Sequence, residues 1–402
     1  MPKSIPAIVN PKLLAWAREN AGYSLAQASE RAKVPAAKLH QWESGDKQPT
    51  LRQAEDLAKK YHCSFSLFTL PEPPKTTPLA TEYRRLPGVK PGAESPELRA
   101  AIRDLIYRRQ VALNLLEELA ELPQDFSLET HLTEDTEAVA ARIRASLNIS
   151  LETQFNWSND SQAWKSWRNA VENKGVLVLL FSGVDPDEVR GVSLFHNKLP
   201  VIGINNHEVA ASRPFTLLHE LVHILLHNGR DEQPALDENR SDDDWGMVER
   251  FGEAVAGSVL MPAKSILDEP SVMERRPNEA WTVKDIRRLA TKYKVTPLAF
   301  ATRLLVLKRM SPTGYRRWKS DWNEFLSQFP PKPSRGFATP AQKALNRYGN
   351  TFTTLVLEAL TLERISPVDA SNYLRLGYPH IEDLRLHFTL GKPLPTYSRE
   401  AE

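Results

Sequence analysis

The sequence predicts a mainly α-helical, multi-domain protein with one small α+β domain at its centre. Three observations carry that expectation. Apolar residues recur at helical spacing over most of the chain, whereas strand-like runs are confined to residues 176–205. Proline-rich stretches at 71–78 and 329–340 separate the helical regions. At 402 residues the chain also exceeds what one hydrophobic core spans, so two to four domains are expected. The boundaries fall at 9–70, 71–150, 151–310 and 311–402.

Composition bounds the environment. Hydrophobic residues make up 41% and charged residues 25%, ordinary for a soluble globular chain, and a formal net charge of +2 favours no partner. Cys63 is the only cysteine, so no intrachain disulfide forms and a reducing compartment fits. Pro2-Lys3-Ser4-Ile5-Pro6 leads into an amphipathic helix rather than an apolar stretch. The longest apolar run, Val176 to Phe181, is far too short to cross a bilayer. The expectation is a cytoplasmic protein with no membrane partner.

Residues 9–70 read as five short helices. The first, Lys12 to Ala21, puts Leu13, Leu14, Ala17 and Ala21 on one face. After Gly22-Tyr23, Ser24 caps a second that runs to about Ala32, and Pro35 opens a third ending at Ser44-Gly45. Pro49-Thr50 introduces a fourth, Leu51 to Tyr61, and residues 64–68 make a short fifth. A tight turn between the second and third describes a helix-turn-helix of the Cro/repressor kind. Leu39, Trp42-Glu43-Ser44-Gly45, Pro49-Thr50-Leu51 and Leu57-Ala58 resemble the XRE family. Leu25 departs from it, standing where a phosphate-gripping glutamine is usual. The resemblance implies operator DNA as partner, with Ala36, Ala37, Lys38 and Gln41 facing base edges and His40, Lys47 and Arg31 on phosphates. Ten Lys/Arg against six Asp/Glu over residues 1–70 suit that surface. The plainer alternative is a helical module that recruits only proteins.

Residues 96–122 then form one long helix. Its stripe of Leu98, Ile102, Leu105, Ile106, Ala112, Leu113 and Leu116 suits a core or a dimer face, which keeps a homodimer open. Another helix spans about 134–147, ending near Asn148. Trp157, Trp164 and Trp167 are expected at a domain interface. Val176 to Phe181 is a buried strand, and residues 190–195 and 200–205 form a hairpin about Asn197-Lys198. An edge strand there could hold an extended substrate by β-addition.

Residues 215–227, Phe-Thr-Leu-Leu-His-Glu-Leu-Val-His-Ile-Leu-Leu-His, contain the H-E-x-x-H pattern at His219-Glu220-Leu221-Val222-His223. Four helical residues leave the two imidazoles about 40° apart and ~6 Å along the axis, close enough to share one ion. Glu220 sits beside that ion, where a carboxylate takes a proton from water. The apolar flanks make this a buried helix, in which unpaired histidines and a glutamate cost several kcal/mol. The alternative of core histidines with backbone partners leaves Glu220 unexplained. Asn228-Gly229 is expected to end the helix as a left-handed cap. His227 lies ~12 Å along the axis from His219, too far to share the ion. It reads as a C-terminal cation or as support for a ligand.

A second helix, Val248 to Pro262, carries Glu249 and Glu253 on one face. In zincins with a glutamate on a second helix, that carboxylate closes the site. Glu249 is therefore assigned as third ligand and Glu253 as a brace for the first-helix histidine, with the reverse open. These runs, with Leu260-Met261-Pro262, resemble the ImmA/IrrE metallopeptidases over roughly 160–310. Members typically carry Ala-Asn and Phe-Ala where this chain has Gly252-Glu253 and Val255-Ala256. Glu253 keeps an acceptor but adds a negative charge near the metal. The resemblance implies a zincin-like central domain, a Zn2+ cofactor, a thermolysin-like ligand order and cleavage of a bacterial repressor or antitoxin. His207, His196 and Arg213 are candidates for stabilising the oxyanion.

The segment 231–244, with Asp231, Glu232, Asp237, Glu238 and Asp242 to Asp244, reads as a mobile solvated connector. Residues 282–307 repeat a helix-turn-helix pattern, Lys294-Val295-Thr296-Pro297 echoing Lys33-Val34-Pro35, and are expected to pack on the peptidase domain. Helices at 341–348, 351–363 and 367–374 are expected as a C-terminal helical tail. Two functions compete: a DNA-binding regulator fused to a zinc endopeptidase, or a non-catalytic regulator or antitoxin using the same fold to sense or bind.

Overall fold

Alternation along three short strands organises the centre of the molecule. The computed structural model describes all residues except 1–5, 75–78, 82, 84, 85, 88, 91, 124, 236–239, 277, 278, 329–337, 392, 393 and 395–402. Strands β1 (Leu177–Phe181), β2 (Gly191–Leu194) and β3 (Val201–Asn205) form one sheet in the order β1-β3-β2. β3 is parallel to β1 and antiparallel to β2. Every strand residue is buried, so helices must cover both faces. Val178, Leu180, Ile202 and Ile204 point into one core, while Leu177, Leu179, Phe181, Val192, Leu194 and Val201 point into the other. The expected hairpin is present, and β2 is one of the two edge strands. Its outer edge is not open along its length, because Tyr83 bridges Leu194 there.

Among the described residues the chain forms eighteen α-helices. The first domain comprises α1 (Pro11–Asn20), α2 (Leu25–Ala32), α3 (Ala36–Ser44), α4 (Leu51–Lys60) and a 3-10 turn at Phe65–Thr69. Ser24 with Gln27 and Thr50 with Gln53 close reciprocal caps that start α2 and α4. Lys33, in the left-handed region at φ 54°, makes the tight turn into α3. Leu14, Ala28, Leu39, Trp42, Leu57 and Phe68 fill a core of its own.

The long helix α5 (Pro96–Glu118) stops short of 122. Its stripe settles the choice left by the sequence: Leu98, Ile102, Leu105 and Ala112 are buried against the sheet, and Leu105 fills the space above Gly203. Then follow α6 (Thr136–Leu147), ended by left-handed Asn148, α7 (Leu151–Asn156) and α8 (Asp160–Glu172). The tryptophans lie inside the central core rather than between domains; Trp157 and Trp167 meet edge to face at 5.7 Å.

Next come α9 (Arg213–Asn228), α10 (Asp242–Leu260), α11 (Ala263–Leu267), α12 (Pro270–Met273), α13 (Val283–Tyr293) and α14 (Pro297–Val306). Helices α13 and α14 do repeat the turn chemistry, with Lys294 left-handed at φ 56°. Ile286, Leu289, Tyr293, Phe300 and Leu304 are buried in the same core as α9 and α10, which is the packing role expected for this pair.

The chain ends with α15 (Pro312–Gln328), α16 (Pro340–Thr361), α17 (Pro367–Leu374) and α18 (Tyr378–Leu390). α15 and α18 are additions to the expected set. The expected break between 348 and 351 is a kink at Gly349, at φ 76° and ψ 179°. The tail does not stand apart: Tyr348, Phe352 and Val356 share a core with β1 and α5. Buried Arg168 of α8 fastens it, donating to the carbonyl of Asn346 at 2.7 Å while paired with Glu172 at 2.9 Å. Parts of both expected linkers, 75–78 and 329–337, lie outside the described residues. Among the described residues no helix is long and apolar enough to cross a membrane.

Candidate metal centre and DNA-binding surface

Helix α9 carries the H-E-x-x-H residues because its sequence is apolar nearly all round and must be buried nearly all round. It lies beside β2 and β3 on one side and α10 on the other. Its end differs from the expected cap. Gly229 is right-handed at φ −71° and Arg230 takes the left-handed position at φ 64°. Gly229 is required by closeness instead, since a Cβ there would collide with the carbonyl oxygen of Thr130. Asn228 ties the same loop, donating to the carbonyls of Phe126 and Leu128 at 3.1 and 2.9 Å.

Helix α10 brings Glu249 to the two imidazoles. Nε2 of His219 lies 3.1 Å from Nε2 of His223, and the Glu249 carboxylate is 3.2 Å from the first and 3.6 Å from the second. All three ligand atoms lie within 4.8 Å of one another. A tetrahedral ion with bonds of about 2.0–2.1 Å sets its ligands about 3.3–3.4 Å apart, so the spacing fits one zinc-sized ion. The protonation pattern agrees. Nδ1 of His223 sits 2.7 Å from Oε2 of Glu232, and a carboxylate only accepts, so Nδ1 carries the proton. The lone pair of its Nε2 then faces His219, an arrangement that a cation relieves.

Glu232 is the residue that the sequence reading passed over. The acidic segment was expected to be solvated throughout. Instead Glu232 is fully buried against His223, and Asp242 to Asp244 form the first turn of α10 behind the Ser241 cap. Asp237 and Glu238 fall outside the described residues. His227 supports this loop through Nδ1, 3.0 Å from the Glu232 carbonyl, and stacks on Phe195 at 4.2 Å. Burial pushes the His227 imidazole below its ordinary value, which disfavours a charged ring at this helix end.

Glu220 is buried, and Ser193 holds its side chain, donating to Oε2 at 2.5 Å and to the Glu220 carbonyl at 3.0 Å. Strand alternation explains why: Gly191 and Ser193 share the face of β2 opposite Val192 and Leu194. A Cβ at 191 would lie 2.7 Å from Glu220, so only glycine lets the helix come this near. That signal was readable, since a hydroxyl and a glycine alternate with apolar residues in a buried strand.

Glu253 is not brought to the imidazoles. It is exposed, and among the described residues Nδ1 of His219 has no hydrogen-bond partner and faces Gly252. Of the oxyanion candidates, Arg213 is held by the carbonyls of Glu208 and Asn206 at 3.0 and 3.1 Å. Burial, with Arg109 and His227 nearby, pushes the His196 imidazole down to about 4. His207 is exposed, its backbone amide bonded to Asn205.

On the first domain, Ala37, Lys38, His40 and Lys47 are exposed and Ala36 and Gln41 half-buried, along and just beyond α3. The Lys38 ammonium rests over the Trp42 ring at 5.3 Å. Leu25 packs against the domain core. Arg31, expected at a phosphate, is exposed and pairs with Glu97 of α5 at 3.3 Å.

Residues 172–305 match the family model of the IrrE N-terminal-like domain, a peptidase family, and residues 12–66 match that of a helix-turn-helix domain. The first match runs from the end of α8 through α14 and contains all three candidate ligands, Glu220, Glu232 and Ser193. No curated protein matches the chain.

Proposed function

Given an IrrE N-terminal-like domain joined to a helix-turn-helix domain in one chain, we propose a DNA-binding transcription regulator that carries a zinc-dependent endopeptidase. It acts in the bacterial cytoplasm on a repressor or antitoxin protein. The observation that carries this reading is the convergence of His219, His223 and Glu249 from two helices, with Glu220 buried beside them. His219, His223 and Glu249 would hold Zn2+, which when bound supplies Lewis acidity to the scissile carbonyl and to water. Glu220 takes the proton of the attacking water and hands it to the leaving amine. Ser193 keeps that carboxylate in one orientation, and Glu232 keeps His223 in the tautomer that ligation needs. The first domain, through Ala36, Ala37, Lys38, His40, Gln41 and Lys47, brings the enzyme to operator DNA where its client repressor sits.

The test uses the full chain with zinc and a repressor or antitoxin encoded beside it. Cleavage is expected with the native protein, and loss of about 10²–10⁴-fold with Glu220→Gln, because general-base catalysis contributes that much. Undiminished cleavage by Glu220→Gln overturns the mechanism. One observation favours the second reading, a regulator without turnover: Tyr83 covers part of the β2 edge that an extended substrate would use. That reading expects operator binding to survive zinc removal and no cleavage of any client.

A further inference from the structure

We propose that the cavity between the carboxyl ends of β1 and β3 and helix α16 binds a phosphate group carried on a small ester. None of the metal-centre residues lines it, and the inference does not depend on the peptidase reading. The strands place it there. β1 and β3 are parallel neighbours, so both leave the sheet at the same end, and Ser182 and Asn206 are the residues that follow them. Ligands of α/β sheets collect in the crevice outside such carboxyl ends. Helix α16 closes this one with Lys343, Asn346 and Arg347. The volume is about 300 Å³, at the small end of the range for metabolite sites. It has room for about ten water-sized groups at ~30 Å³ each, about twice what a phosphate fills.

The wall offers donors, and its acceptors are largely taken. Lys343 and Arg347 stand four residues apart on α16, so two like charges share one helix face, a repulsion that an anion relieves. Among the described residues neither pairs with a carboxylate, and no aspartate or glutamate lines the cavity. Glu172, which reaches α16 at Gly349, is paired with Arg168. Arg347 donates to the Ser182 hydroxyl at 2.8 Å, which orients the guanidinium and leaves the hydroxyl hydrogen free to donate. The carbonyl and Oδ1 of Asn206 both accept from Arg213, at 3.1 and 3.3 Å, so its side-chain NH2 is left over. The carbonyl of Phe181 accepts from the Asn206 amide at 2.8 Å, and that of Asn346 from Arg168 at 2.7 Å. What remains is an ammonium, part of a guanidinium, a hydroxyl and an amide. A phosphate ester carries close to two negative charges and three acceptor oxygens, which matches two cations and their neighbouring donors. A carboxylate brings a single charge and leaves one cation unmatched.

The test is calorimetry on the zinc-loaded full chain at low salt, titrated in turn with inorganic phosphate, glycerol 3-phosphate and glycerol. Both phosphates are expected to bind, the ester at least about threefold more tightly, and glycerol not at all. Lys343→Ala, a change at an exposed position, should weaken both by at least about tenfold, the effect of one charge-assisted bond. Lys343→Arg should restore binding to within about threefold. Lys319→Ala, which removes an exposed lysine of α15, should bind as the native chain does. Inorganic phosphate binding as tightly as the ester overturns the ester and leaves a site for free phosphate. Failure of both phosphates to bind overturns the site. So does binding that Lys343→Ala leaves intact, since that phosphate sits elsewhere, the metal centre included. An equal loss in Lys319→Ala also overturns it, because the attraction is then one of diffuse charge.

Discussion

Replacing Glu232 is the sharpest test of the metal centre, because this carboxylate touches a ligand and not the reacting atoms. Both side chains of the His223–Glu232 pair are fully buried, and their atoms are 2.7 Å apart. Such a charge-assisted bond contributes about 1.5–3 kcal/mol, and a buried donor left without an acceptor costs about 1–3 kcal/mol. Only the part that differs between metal-free and metal-bound states appears as affinity. That part is large, since a bound cation acidifies the imidazole and strengthens its bond to the carboxylate. Glu232→Gln keeps an acceptor of the same shape without the charge, so zinc should bind about tenfold more weakly; Glu232→Ala should lose about a hundredfold. The assay is zinc titration against a chelating dye, with circular dichroism and thermal unfolding of the metal-free proteins as a check on folding. Glu220→Gln serves as control and should bind zinc as the native chain does. A folded Glu232→Ala that binds zinc within about twofold of the native protein would refute the positioning argument.

Three further outcomes are expected. Lys47→Ala should weaken operator binding evenly across sequences and lower the slope of log affinity against log salt by about 0.9, measured by fluorescence anisotropy across a salt series. Gly349→Ala should destabilise the chain by about 1–3 kcal/mol in urea unfolding, because a Cβ at φ 76° is strained and would press into the Arg168–Glu172 pair. Glu134 is held down at about 2, chiefly by its bond to Arg142. A carboxyl lowered from 4.5 stabilises the fold above that value and loses the contribution as pH falls towards 2. The stability gap between the native chain and Glu134→Gln should therefore be constant above about pH 5 and shrink at pH 3.

What the sequence could determine follows from periodicity and local chemistry. Spacing of three and four residues placed α1 to α6 and the α9–α10 pair. The five-residue pattern at 219–223 put two imidazoles on one helix face; spacing alone placed Glu249 and Glu253 together on the next helix, and the resemblance to zincins favoured Glu249. The break at Gly349 was legible because a glycine between two periodic segments has a local cause. The cap after Asn228 was misassigned because Gly229 answers to Thr130, about a hundred residues away, not to its own backbone conformation. Glu232 looked like its acidic neighbours, since nothing within the segment says which carboxylate turns inward. The docking of the tail depends on Arg168 and the second sheet face, neither of which lies in its own sequence. Each of these depends on burial against distant residues, which hydrophobic packing decides only once the whole chain is assembled.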